Sequence, residues 1–167
     1  VAVRSTAGKG TTFELYLPLS DESVAPGGEV VAHQEPGRQT GTLLIIDDEE
    51  SLRLIATDLL LELGYEVLQA EDGTDGVRQY GHHKDDVDLI ILDMQMPGLS
   101  GEETFALLRQ IDEQVPILLM SGYSREGSVE QLLHSGAAGF VQKPYRLAQL
   151  SQAVQQALAD RDRSKLA

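Results

Sequence analysis

Five short apolar runs recur between residues 42 and 141: Leu43-Leu44-Ile45-Ile46, Tyr65-Glu66-Val67-Leu68, Leu89-Ile90-Ile91-Leu92, Ile117-Leu118-Leu119-Met120 and Ala138-Gly139-Phe140-Val141. Turn-forming residues bound each run, and near-continuous apolarity over so short a length suits strands covered on both faces. Between and after them lie Glu49 to Leu63, Gly73 to Gly81, Gly101 to Ile111, Arg125 to Ser135 and Leu147 to Ala159, where apolar positions fall near helical spacing. Gly64 and Gly136 stand just past the first and fourth of these helices, where a left-handed cap residue is wanted. The alternation predicts an α/β domain, a (βα)5 doubly wound five-stranded parallel sheet. No internal repeat is evident, and five units are too few for an eight-stranded barrel.

Two further zones precede that domain. In residues 1–20 the Gly-rich tract Gly8-Lys9-Gly10-Thr11-Thr12 leads into the alternating stretch from Thr12 to Leu17, which predicts an orphan strand stopped by Pro18. Residues 21–41 carry Pro26, Gly27, Gly28, Pro36 and Gly37 without sustained periodicity, the pattern of a flexible linker with weak order. The domain then occupies 42–160, leaving 161–167 as a C-terminal tail.

Composition narrows the chemistry. Thirteen Lys and Arg against 27 Asp and Glu give a formal net charge of −14, which disfavours nucleic acid and anionic lipid as partners. The absence of cysteine excludes disulfides, thiolate metal sites and thiol catalysis, and permits an intracellular setting. No apolar run approaches the roughly 20 residues of a spanning helix. The amino end has neither a starting methionine nor a basic segment followed by a hydrophobic one, so a soluble fragment without direct membrane contact is expected.

Ligands of open parallel sheets bind at the carboxyl ends of the strands. Here the first strand ends in Asp47-Asp48-Glu49-Glu50, the third in Asp93, the fourth in Ser121-Gly122 and the fifth in Gln142-Lys143-Pro144. Carboxylates brought that close raise one another's pKa unless a cation neutralises them, and a hard divalent ion, Mg2+, suits oxygen-only ligation with a position left for a phosphoryl oxygen. Lys143 adds a second positive charge, and Asp93 is the best nucleophile for a transferable phosphoryl group. Each element also has a plainer reading. Asp47-Asp48 can cap the following helix, Asp93 and Ser121-Gly122 can be turn residues, and Lys143 can be a solvated lysine. Their joint placement at strand ends carries the chemical reading.

These residues resemble the motifs of a response-regulator receiver domain, the aspartate-phosphorylated partner in two-component signalling. The resemblance rests on Ile45-Ile46-Asp47-Asp48-Glu49, on Asp93-Met94-Gln95-Met96-Pro97-Gly98, on Ser121-Gly122 and on the run from Gly136 to Pro144. It implies a flavodoxin-like receiver fold in which Asp93 takes a phosphoryl group from a phosphohistidine donor. It further implies that Asp48, Asp93 and the Gln95 backbone carbonyl coordinate Mg2+, with Asp47 acting through a bound water. Ser121 would hydrogen-bond the phosphoryl group, Lys143 would pair with it, and the peptide before Pro144 would be cis. Phe140 takes the place of the family's aromatic switch, without the phenolic hydroxyl of the commoner tyrosine; an ordinary core aromatic is the plainer reading.

The stretch from Val3 to Pro18 resembles the closing strands of a histidine-kinase ATPase domain, including its last glycine box. The two resemblances together imply the C-terminal part of a hybrid sensor histidine kinase, cytoplasmic here, with any membrane anchor elsewhere in the parent protein. The remainder of the ATPase domain is missing from the chain, so useful ATP binding is not expected. Two rivals stand beside the phosphoacceptor: a phosphorylation-independent interaction module, and an aspartate-nucleophile phosphatase of the haloacid-dehalogenase type. The phosphatase needs a second acid two residues after the nucleophile, where this chain has Gln95. A flavin binder is disfavoured by the acidic loop after the first strand. His33, His82, His83 and His134 receive no role, Gln95 and Tyr123 are candidates for tuning phosphoryl lifetime, and the oligomeric state stays open.

Overall fold

The protein, a computed structural model, is described over residues 2–16, 40–122 and 127–165. The described residues fall into two compact units. The first is a hairpin of β1 (Ala2–Thr6) and β2 (Gly10–Glu14), antiparallel, with Val3 opposite Phe13 and Ser5 opposite Thr11. The Ser5 and Thr11 hydroxyls lie 2.8 Å apart, Arg4 pairs with Glu14, and the Tyr16 hydroxyl donates to Glu14 Oε2 at 2.9 Å. The stretch from Thr12 is therefore not an orphan: it pairs with an upstream strand whose sequence, Ala-Val-Arg-Ser-Thr, is too polar to announce itself. Leu17, Pro18 and residues 21–39 of the linker expected over 21–41 lie outside the described residues.

The second unit runs through β3 (Thr42–Ile46), α1 (Glu50–Glu62), β4 (Glu66–Ala70), α2 (Gly73–His83), β5 (Val87–Asp93), α3 (Gly101–Ile111), β6 (Ile117–Ser121), α4 (Ser128–His134), β7 (Gly139–Gln142) and α5 (Leu147–Lys165). The five strands form one parallel sheet in the order β4-β3-β5-β6-β7, the expected (βα)5 doubly wound arrangement. Period-two alternation splits the core between the two faces. Leu44, Ile46, Ile90, Leu92, Ile117 and Leu119 join one cluster with Tyr80, Phe105 and Leu108. Leu43, Ile45, Leu89, Ile91, Leu118 and Met120 join the other with Ala56, Leu60, Leu150 and Val154. At about 1.5–3 kcal/mol for each fully buried aliphatic side chain, these strands are the main favourable term.

Helix boundaries follow local chemistry. Asp72 caps α2 by accepting from the Asp75 amide at 2.7 Å, and Ser100 with Glu103 forms a reciprocal capping box at the start of α3. Gly64 and Gly136 have φ of 99° and 94°, the left-handed caps the sequence predicts. The expected helix from Arg125 begins at Ser128; residues 123–126, Tyr123 among them, lie outside the described residues. The last helix does not stop at Ala159 to leave a tail from 161. It continues to Lys165 through a stretch free of Gly and Pro, and Arg161 pairs with Asp88.

Candidate functional site

In the order β4-β3-β5-β6-β7, β3 has β4 on one side and β5 on the other, so the chain reverses its winding between β3 and β5. This is the crevice where doubly wound sheets hold ligands, and Asp47 and Asp93 stand at the carboxyl ends of those two strands. Both residues are buried, at 1% and 3% exposure, among apolar strand residues. Buried carboxylates need partners. The Lys143 ammonium, brought in just after β7, donates to Asp47 Oδ2 and to Asp93 Oδ2, each at 2.8 Å. The second oxygens are held locally, Asp47 Oδ1 by the Glu49 amide at 2.9 Å and Asp93 Oδ1 by the Gln95 amide at 3.3 Å.

The plainer readings of these residues separate here. α1 has Glu49 at its N-cap with no side-chain cap bond, and the Asp47 carboxylate reaches no amide within the helix: one oxygen accepts from the Glu49 amide ahead of it and the other from Lys143 in the crevice. Asp93 holds the turn amide of Gln95 and also faces the crevice. Lys143 is no solvated lysine: its side chain is 14% exposed and bridges two acids. Ser121 is buried at the end of β6, and its carbonyl accepts the Lys143 amide at 2.7 Å, tying the two strand ends together. The Lys143–Pro144 peptide is cis, as the resemblance implies. Gln95 is exposed at the rim. Phe140 is partly buried against the cluster that includes Leu119, its neighbour in the sheet register.

Burial raises the pKa of Asp93, and the nearby Asp47 charge adds to the rise, while Lys143 opposes it. For Lys143 burial alone would favour the neutral amine, but the bonds from Asp47 and Asp93 outweigh it and lift its pKa. The pair is thus a carboxylate that gains from a nearby cation and an ammonium locked in its charged form.

Asp47, Asp48 and Asp93 each bring a carboxylate oxygen within 4.8 Å of the others, with Asp48 exposed at the mouth. An all-oxygen donor set of this size fits a hard divalent cation that keeps some of its waters. One contributor escaped the motif reading. Arg53, half-buried in the first turns of α1, donates from Nη1 to the Asp47 carbonyl at 2.5 Å. The available signal was that Arg53 is the sole Lys or Arg between Arg38 and Arg78, beside four consecutive acids.

Comparison with known proteins agrees with this geometry. Residues 43–155 match the response regulator receiver domain family. The chain is 28% identical over 165 residues to the sensor kinase CckA of Brucella abortus, covering 95% of this chain and 18% of the kinase. It is 31% identical over 117 residues to the chemotaxis protein CheY of Bacillus subtilis, covering 70% of this chain and 96% of CheY. Among solved structures, the CheX–CheY–BeF3–Mg2+ complex of Borrelia burgdorferi superposes with a TM-score of 0.66 at 27% identity, over 69% of this chain and 87% of that one. A doubly wound sheet with a buried, lysine-paired aspartate at its winding reversal, and a family match over most of that sheet, make this chain a member of the response regulator receiver domain family.

Proposed function

We propose that Asp93 is the phosphoacceptor of this two-component receiver domain, loaded from a phosphohistidine in a donor kinase or phosphotransfer protein. The observation that carries the reading is the buried Asp93 carboxylate held by Lys143 inside a three-carboxylate cluster. An Asp93 oxygen attacks phosphorus, the phosphorus–nitrogen bond of the donor breaks, and its electron pair returns to the imidazole, which takes a proton. Lys143 supplies positive charge beside the oxygens of the transferred group, and the Ser121 hydroxyl is assigned to one of them. Asp47, Asp48, Asp93 and the Gln95 carbonyl are the candidate holders of Mg2+, the ion named with the Borrelia burgdorferi complex. Bound there, Mg2+ would neutralise the acidic cluster and polarise the phosphoryl oxygens. Engagement of Ser121 by the phosphoryl group is proposed to let Phe140 turn inward, altering the surface around α4 and β7.

The hairpin supports a wider reading. The match to the Brucella abortus sensor kinase takes in 95% of this chain, more than the receiver unit alone, whereas the match to CheY takes in 70%. We therefore read residues 1–20 as the end of a histidine-kinase ATPase domain and the parent protein as a cytoplasmically facing hybrid kinase. Among the described residues no helix is long and apolar enough to cross a membrane.

The test is the intact mass of the protein after incubation with acetyl phosphate, with and without Mg2+. A Mg2+-dependent gain of one phosphoryl group, absent in Asp93→Asn, is expected. No gain under conditions where a control receiver reacts would overturn the reading and leave a phosphorylation-independent interaction module.

A further inference from the structure

Asp47 is held through every polar atom it has. Its amide donates to the Ala70 carbonyl at 3.3 Å, its two carboxylate oxygens accept from the Glu49 amide and from Lys143, and its carbonyl accepts from Arg53. The last contact bears on the neighbouring residue. A peptide is planar, so fixing the Asp47 carbonyl also fixes the amide nitrogen and the Cα of Asp48, the point from which its side chain leaves the backbone. Asp48 is exposed, with its carboxylate near those of Asp47 and Asp93 at the mouth of the crevice.

A guanidinium beside four consecutive acids could act in two opposite ways. Acting through its charge alone, it would weaken binding of a metal cation by partly neutralising the cluster. Acting through its bond, it would strengthen binding by keeping Asp48 aimed at Asp47 and Asp93. The geometry favours the second: the guanidinium donates to a carbonyl and leaves the Asp47 carboxylate to Lys143 and the Glu49 amide. The half-buried stem on a regular helix, whose Arg53 amide bonds the Glu49 carbonyl at 3.0 Å, makes this a preset arm.

We propose that Arg53 is a positioning residue for the cation site, holding the Asp47–Asp48 peptide so that the exposed Asp48 carboxylate stays within the three-acid cluster. The inference rests on the reading of that cluster as the Mg2+ site. It is tested by calorimetric titration of Mg2+ into the full chain for wild type, Arg53→Met, Arg53→Lys and Asp48→Asn, with urea midpoints measured alongside. Arg53→Met keeps the apolar stem and deletes the donor, and is expected to bind Mg2+ about tenfold more weakly, the scale of one charge-assisted hydrogen bond. Arg53→Lys, which keeps a cationic donor of similar reach, is expected to recover most of that loss. Equal or tighter binding by Arg53→Met overturns the proposal in favour of a charge effect. A loss that Arg53→Lys shares in full also overturns it, because it marks disturbed helix packing. Failure of wild type to bind Mg2+, or wild-type binding by Asp48→Asn, sinks the site reading itself and is distinct from either result.

Discussion

Two buried polar side chains show how single residues trade stability for function or for nothing visible. Thr57 in α1 is 5% exposed, and its hydroxyl has no hydrogen-bond partner among the described residues. Thr57→Val keeps the shape and removes the unpaired group at little helix-propensity cost, so it is expected to stabilise the fold by about 1 kcal/mol. A urea midpoint at or below wild type would refute this. Asp93, the proposed phosphoacceptor, is the counterpart. Its folded pKa lies above the unfolded value because of burial, so its contribution to stability is present below the ordinary carboxylate range and is lost as pH rises through the folded pKa. Metal-free Asp93→Asn, which does not titrate, should therefore unfold at a higher urea concentration than wild type at pH 7. The gap should close below pH ~4, where Asp93 is neutral in both states. A gap that is constant with pH would show that the charge of Asp93 is not the cause.

At the scale of elements, the site depends on how closely α3 approaches the end of β5. Gly101 begins α3, just after the Ser100 cap, and a Cβ there would lie 2.5 Å from Met94 Cα and 2.7 Å from the Asp93 carbonyl oxygen. Backbone atoms cannot swing aside as a flexible side chain does. Helix propensity favours Ala over Gly by about 1 kcal/mol, but overpacking against fixed atoms costs about 1–3 kcal/mol, so Gly101→Ala should destabilise on balance. Because the colliding carbonyl belongs to Asp93, the variant should also label with acetyl phosphate more slowly than wild type at a temperature where both are folded. Unchanged labelling with reduced stability would separate the helix seat from the acceptor geometry.

For the whole molecule, the two units have unequal means of standing alone. The sheet of residues 42–142 is covered on both faces by its own helices and buries two apolar clusters. The hairpin leaves Val3, Phe13 and Leu15 exposed, and a lone two-stranded hairpin is marginal in water. A chain beginning at Thr40 is accordingly expected to unfold cooperatively and to gain the same Mg2+-dependent phosphoryl group. Far-UV circular dichroism follows the unfolding, since the protein has no tryptophan to report it. Non-cooperative unfolding of that shorter chain would show that the receiver unit needs its upstream residues.

The strands, most helix limits, the glycine caps and the acids at strand ends were legible in the sequence, because apolar runs, helical spacing and turn chemistry are local properties. Where local signals were weak, they were not: β1 is too polar to declare itself, and α5 runs on to Lys165 because nothing in its sequence stops it. Tertiary structure alone decided the roles of residues whose types permit several. The choice of Asp47 between helix cap and crevice-facing partner of Lys143, and of Lys143 between solvent and bridge, was made by a sheet order that places residues 96 positions apart within 2.8 Å. Arg53 stayed hidden for the same reason: an arginine among acids reads as a charge partner until a folded loop turns a carbonyl toward it. A chain's pattern sets which elements form, whereas pairing between distant strands sets which side chains meet, and only that meeting makes a carboxylate chemical.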